Sequence, residues 1–147
     1  MKVKIKREYP KLKTDLSIKD ILYDKEYKVL LIEFNLQEEL YRIINEKNEP
    51  TLYPAVIFKI IDGKIDINWK FHPLAEKYYP ERLDTYLNNE ETFVGYHLLT
   101  NGIWYIGPKE FAYNYYFFRD WFNNKKKERK VLKDFLESYP EYKNVKL

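Results

Sequence analysis

The chain has 147 residues, of which 45% are apolar and 33% charged, with a net charge of +3 and no cysteine. These figures exclude a disordered tail, a disulfide scaffold, a thiolate nucleophile and any Cys-containing zinc site, and no apolar run nears the ~20 residues that a membrane-spanning helix needs. They predict one globular domain over residues 1–147, able to bury roughly two thirds of its unfolded surface without metal or disulfide.

The first residues, MKVKIKREYP, alternate Lys with Val and Ile instead of presenting the apolar stretch of a secretory signal, so a cytoplasmic location is expected. Lysines outnumber arginines 21 to 5, and Ile, Tyr and Asn are abundant, which fits an AT-rich genome of archaeal or viral origin. In chain order, residues 2–6 read as an edge strand with Val3 and Ile5 on one side and lysines on the other. YKVLLIEF at 27–34 reads as a buried strand. From Asn35, a suitable N-cap, the spacing of Leu36, Leu40, Ile43 and Ile44 predicts an amphipathic helix. Gln37, Leu40, Ile43 and Ile44 also resemble the peptide that docks on sliding clamps, but the helical setting favours core packing.

Residues 55–71 carry Asp62-Gly63 between β-rich runs, the signature of a two-residue hairpin turn. Pairing outward from it sets Ile60 against Ile65, Phe58 against Ile67 and Val56 against Trp69 on a core face, with Lys59 across from Asp66 on the wet face. Pro73 and Pro80 punctuate a segment of one or two short helices. A second hairpin is expected around Asn101-Gly102, with Tyr96, Leu98 and Tyr105 on one face and His97, Leu99, Trp104 and Ile106 on the other. Pro108 suits the first turn of a helix running to Phe122, with Phe111, Tyr115, Phe118 and Phe122 on one stripe and Tyr113, Phe117 and Trp121 on a second. A last helix follows the basic run KKKERK, with Val131, Leu132, Phe135, Leu136 and Tyr139 inward and Pro140 as its end. The fold class is α+β: an antiparallel sheet, built from two β-hairpins plus N-terminal strands, packed against amphipathic helices, with a helical C-terminal segment.

Nucleotide-binding glycine loops, nucleophile elbows and zinc-protease motifs are absent from the sequence. A metal-dependent nuclease needs carboxylates on neighbouring strands with a lysine close by, and Glu26, Lys28 and Asp66 offer a weak version of that pattern. Glu33 and Asp62 are further carboxylates for it. His72 and His97 are the two imidazoles, and no spacing brings them together.

Interleaved basic and aromatic residues point elsewhere. Single-stranded nucleic acid is held by a positive groove along which bases stack on rings. The candidates are Lys59, Lys64, Lys70, Tyr96, Trp104, Tyr105, Arg119, Lys125, Lys126, Lys127 and Arg129. Residues 103–122 hold ten aromatics, more than one hairpin face and one helical stripe hide in a small domain, so part of that surface is expected to meet another molecule. The leading expectation is a small nucleic-acid-binding or accessory protein without chemistry or cofactor of its own. The alternatives are a partner-binding protein, including a homodimer through the 111–122 helix, and the nuclease.

Overall fold

The computed structural model describes residues 1–6, 18–34, 38–71, 104–114 and 116–147. Its strands are β1 (Lys2–Ile5), β2 (Tyr27–Lys28), β3 (Leu31–Phe34), β4 (Glu39–Ile44), β5 (Pro50–Pro54), β6 (Phe58–Asp62), β7 (Trp69–Phe71) and β8 (Trp104–Pro108). The helices are α1 (Lys109–Ala112), α2 (Phe117–Phe122) and α3 (Lys126–Glu137), with short 3-10 turns at Ala55–Ile57 and Pro140–Tyr142. The strands form two antiparallel sheets, a small one in the order β2-β1-β6 and a large one in the order β5-β4-β3-β8-β7. The architecture is α+β, as the alternation of strand and helix patterns implies.

Period-two alternation explains how the layers stack. Ile32, Tyr41, Ile43, Tyr53 and Ile106 on one face of the large sheet join Val3, Ile5, Tyr27 and Phe58 of the small sheet in one core. The other face presents Leu31, Ile44 and Tyr105 to Phe111, Phe117, Phe118, Trp121, Leu132 and Leu136 of the helices in a second core. The large sheet therefore lies between the small sheet and the helical layer. Its central strands are covered twice, which accounts for the two apolar faces of β8.

Several elements differ from the sequence expectation. The run 27–34 is not one strand: β2 pairs with β1, β3 pairs with β4 and β8, and Val29 and Leu30 carry the chain from one sheet to the other. β1 is the central strand of its sheet, not an edge. The stretch expected as a helix from Asn35 is, over its described part, β4. Tyr41 and Ile43 enter one core and Ile44 the other, so β4 is apolar on both faces as a central strand requires. Leu40, Ile43 and Ile44 are thereby held in a sheet, not offered as a docking peptide.

The Asp62-Gly63 hairpin does not form. β6 pairs with β1 (Ile5 opposite Phe58, Lys4 opposite Lys59) while β7 pairs with β8 (Trp69 opposite Pro108). Phe58 and Trp69 are buried as expected, but Val56, Ile60 and Ile67 are exposed. Asp62 and Asp66 instead cap their own turns, accepting from the backbone N–H of Lys64 and Asn68. Of the second expected hairpin only the β8 strand lies within the described residues, and at Ile106 both of its edges are taken, by Ile32 and Phe71.

The expected single helix from Pro108 to Phe122 is broken. α1 ends at Tyr113, and Asn114 turns the chain by accepting the N–H of Tyr116 on its side chain and that of Phe117 on its carbonyl. In an unbroken helix Phe118, seven residues on, would share a face with Phe111, but Phe117 would point about 120° away from it. The break gathers Phe117, Phe118 and Phe135 around Phe111, with ring centroids 4.9, 5.2 and 4.8 Å away. Such ring pairs add to burial worth roughly 1.5–3 kcal/mol per large side chain. α3 follows its sequence pattern, with Leu132 and Leu136 buried and Val131, Phe135 and Tyr139 partly so.

Gly107 of β8 packs closely against Leu30 and Leu31. A Cβ there would lie 2.7 Å from Leu31 Cδ1 and 3.1 Å from the Leu30 carbonyl oxygen. Leu31 is itself sealed in the core, so it has little room to move. Gly107→Ala should lower stability by about 1–3 kcal/mol in urea unfolding; an unchanged midpoint would show that this contact relaxes freely.

Candidate nucleic-acid interface

The helical layer is fixed to the large sheet by a buried cation. Arg42 on β4 donates from Nη1 to the Pro50 carbonyl at 2.6 Å, approaches the Glu33 carboxylate at 3.7 Å and lays its guanidinium 4.1 Å from the centroid of the Phe118 ring. Glu33 and Arg42 fall on the same face because Leu31 sits opposite Arg42 and Glu33 is two residues further along β3. Burial draws the Arg42 pKa down to about 10, opposed by Glu33 and Tyr105. Burial also raises the Glu33 carboxyl above its ordinary range, opposed by Arg42.

With Phe117, Phe118 and Trp121 turned inward, the remaining face of α2 is dictated by helical spacing. Tyr116, Arg119 and Phe122 follow one another every third residue and share a face. Tyr116 is 51% exposed and Phe122 45%. The Arg119 guanidinium stacks 4.0 Å from the centroid of the Tyr116 ring and bonds the adjacent Asp120 at 2.9 Å. Tyr113 is exposed at the end of α1. Three planar groups thus run along one open helix face, and the chain then turns into Lys125, Lys126 and Lys127, all exposed.

Helix stability does not account for those lysines. Lys125 is the N-cap of α3 and makes no side-chain cap bond, at a position where Ser, Thr, Asp or Asn would satisfy a free N–H. Cations at a helix N-terminus also oppose the helix dipole. The corner between α2 and α3 is held by Arg129: its Nε donates to the Trp121 carbonyl at 3.1 Å, one Nη to Asn124 Oδ1 at 2.6 Å, and the guanidinium lies 3.9 Å from the centroid of the Trp121 ring.

The sequence candidates are thus distributed over different layers. Arg119 and Lys125–Lys127 come together on the helical layer. Arg129 sits beside them with its guanidinium committed to the corner. Tyr105 is buried beneath the helices, and Trp104 is placed by its backbone in β8 opposite Phe34. Lys70 lies on β7 across from Gly107, while Lys59 lies on the small sheet and Lys64 in the loop that follows it. Tyr96, like His72 and His97, lies outside the described residues. The sequence pattern put Tyr113 and Phe122 on inward stripes of a continuous helix and left Tyr116 on neither stripe; the signal for the break was Asn114, a helix-breaking residue between tyrosines.

Glu26 and Lys28 line a cleft of about 270 Å³ with Lys2, Lys25, Glu46 and Glu141. Its charges are largely paired, Lys25 with Glu46 at 2.7 Å and Lys28 with Glu141 at 3.3 Å. Asp66 is not among its walls, and among the described residues no group of three His, Asp or Glu is placed to hold a metal ion. Comparison with protein-family models, curated proteins and solved structures finds no match to this chain.

The buried pair makes a pH-dependent prediction. A carboxyl whose folded pKa is raised contributes stability below its ordinary range that is lost as pH rises through the folded value. Removing Arg42 raises Glu33 further and strands it. Arg42→Met should therefore cost about 3–5 kcal/mol near neutral pH, clearly less at about pH 4 where Glu33 is protonated, and adding Glu33→Gln should recover part of the neutral-pH loss. A cost independent of pH in urea titrations, with no recovery, would contradict this account of the pair.

Proposed function

We propose that the protein binds single-stranded nucleic acid through its helical layer, without chemistry or cofactor of its own. The observation that carries this reading is the open face of α2, where Tyr116, Arg119 and Phe122 stand in a row that leads into Lys125–Lys127. Bases stack on exposed rings and on guanidinium planes without sequence preference, and each base–ring contact is worth about 1–3 kcal/mol. The Arg119–Asp120 pair is exposed and weak, so a phosphate can replace the carboxylate. Lysine supplies charge without the fork geometry that reads bases, which fits a backbone-tracking, sequence-tolerant mode.

A protein partner or a second copy of the chain on the same rings is the other reading. Fully buried aromatic side chains cover about 150–250 Å² each. Three rings, already about half covered, fall well short of the ~800 Å² per partner that a stable interface uses. The lysines beside them add charge that self-pairing would have to overcome.

Fluorescence anisotropy with a labelled oligothymidylate tests the proposal. Tyr116→Ala and Phe122→Ala should each weaken binding roughly tenfold or more while leaving the unfolding midpoint nearly unchanged. Replacing Lys125, Lys126 and Lys127 together with Ala should flatten the slope of log K against log salt by about 2. Absence of salt-sensitive binding by the unaltered protein at low ionic strength would end this reading.

A further inference from the structure

The small sheet places like charges directly opposite one another. Lys2 of β1 faces Lys28 of β2, and Lys4 of β1 faces Lys59 of β6. Val3, Ile5, Tyr27 and Phe58 point into the core shared with the large sheet, so the alternating positions Lys2, Lys4, Lys28 and Lys59 point outward. Lys6 continues the alternation past the end of β1, where its N–H donates to the Ile57 carbonyl. Asp62, opposite Lys2 after a bulge that leaves Ile61 unpaired, is the acid that the described register adds to this face. Lys28 is tied to Glu141 and stacked on Tyr139, but among the described residues no ion pair takes Lys2, Lys4, Lys6 or Lys59.

Two structural explanations account for these lysines only in part. Cations guard exposed edge strands against pairing with other chains, which suits Lys28 on β2 and Lys59 on β6, yet Lys2 and Lys4 lie on β1, the central strand, which needs no guard. Cross-strand pairs normally add stability when their charges are opposite, and like charges opposite each other subtract from it. The Lys4–Lys59 contact therefore works against the fold that carries it, while Lys28 is paired with Glu141 and Lys2 also faces Asp62.

We infer that the outward face of the β2-β1-β6 sheet is a second contact surface for a nucleic-acid phosphate backbone, built from Lys2, Lys4, Lys6 and Lys59. The inference rests on the nucleic-acid reading for the identity of the polyanion; the placement of the lysines is independent of it. Charge complementarity selects a polyanion, and the ring at the edge of this face, Tyr139, is already covered by Lys28, so contact is through phosphates. The end of the helical layer reaches β2, where Glu141, Tyr139 and the Tyr142 hydroxyl meet Lys28, but the lysine face and the α2 face are built from different residues, so each can hold its own strand. One molecule then holds two strands, or two segments of one long strand, and joining the sites through the fold raises the effective concentration of the second segment for the second site.

Native mass spectrometry with short oligothymidylates, run beside anisotropy, tests this. The unaltered protein should bind one strand per monomer and then a second, weaker one. Lys2→Gln, Lys4→Gln and Lys59→Gln together should abolish the second binding event, change the first by less than about twofold, and raise the thermal midpoint by relieving like-charge contacts. Tyr116→Ala with Phe122→Ala should do the reverse, abolishing the tighter event and sparing the weaker. A single strand per monomer with the unaltered protein, or a second event untouched by the triple variant, overturns the inference. If the triple variant alone removes all binding and the aromatic variants remove none, the helical-layer reading falls while the lysine face stands. Lysine-dependent capture of anionic vesicles without a second oligonucleotide overturns the choice of nucleic acid.

Discussion

A single buried guanidinium ties the two halves of this fold together. Arg42 reaches from the large sheet to the helical layer, bonding a backbone carbonyl of the neighbouring strand, facing Glu33 and supporting the Phe118 ring. Among the described residues its Nε has no hydrogen-bond partner, so the site is polar and imperfectly satisfied within an apolar layer, an arrangement that contributes little net stability. What it contributes is position. Phe118 is fixed over Arg42, so the rotation of α2 is fixed, and the side chains that α2 shows to solvent follow from that rotation.

The surface beside it follows from the same packing. Breaking the helix at Asn114 lets Phe111 collect Phe117, Phe118 and Phe135, and Arg129 closes the next corner over Trp121. Of the aromatic side chains described between 105 and 122, Tyr105, Phe111, Phe117, Phe118 and Trp121 are sealed, and Tyr113, Tyr116 and Phe122 are about half exposed. Among the described rings the surplus of surface is smaller than the density of the sequence suggested. Tyr116 and Phe122 lie on the solvent face of α2, which leads into Lys125–Lys127, the combination on which the proposed binding of a single strand rests. On the other side of the large sheet, the small sheet carries Lys2 and Lys4 on its central strand, where edge protection does not account for them.

Much of this was legible from residue patterns, and the failures have physical causes. α3 was readable because one clean stripe of Val131, Leu132, Phe135, Leu136 and Tyr139 admits only a helix packed on one side. The inward alternation of Val3 and Ile5 was readable for the same reason at period two. β4 was misread because Leu40, Ile43 and Ile44 fit a helical face, and the competing alternation of Tyr41 and Ile43 looked incomplete while Arg42 counted as a surface residue. A buried arginine conceals a central strand from any reading that treats charge as exposure. The Asp62-Gly63 turn misled because local turn chemistry was favourable while long-range pairing of β6 with β1 and β7 with β8 satisfied more backbone. Opposed lysines were beyond reach, since register across three strands is not written in any one of them.

The central claim is that nucleic acid lies along the open face of α2 and the start of α3. Ultraviolet cross-linking of a photoreactive oligothymidylate to the full chain, followed by peptide mapping, tests it most directly. The account predicts that the first and strongest adducts fall on Tyr113, Tyr116, Phe122 and the Lys125–Lys127 peptide, with none on Phe111, Phe117 or Trp121. Adducts confined to other peptides, or their complete absence under conditions where the oligonucleotide is bound, would contradict it.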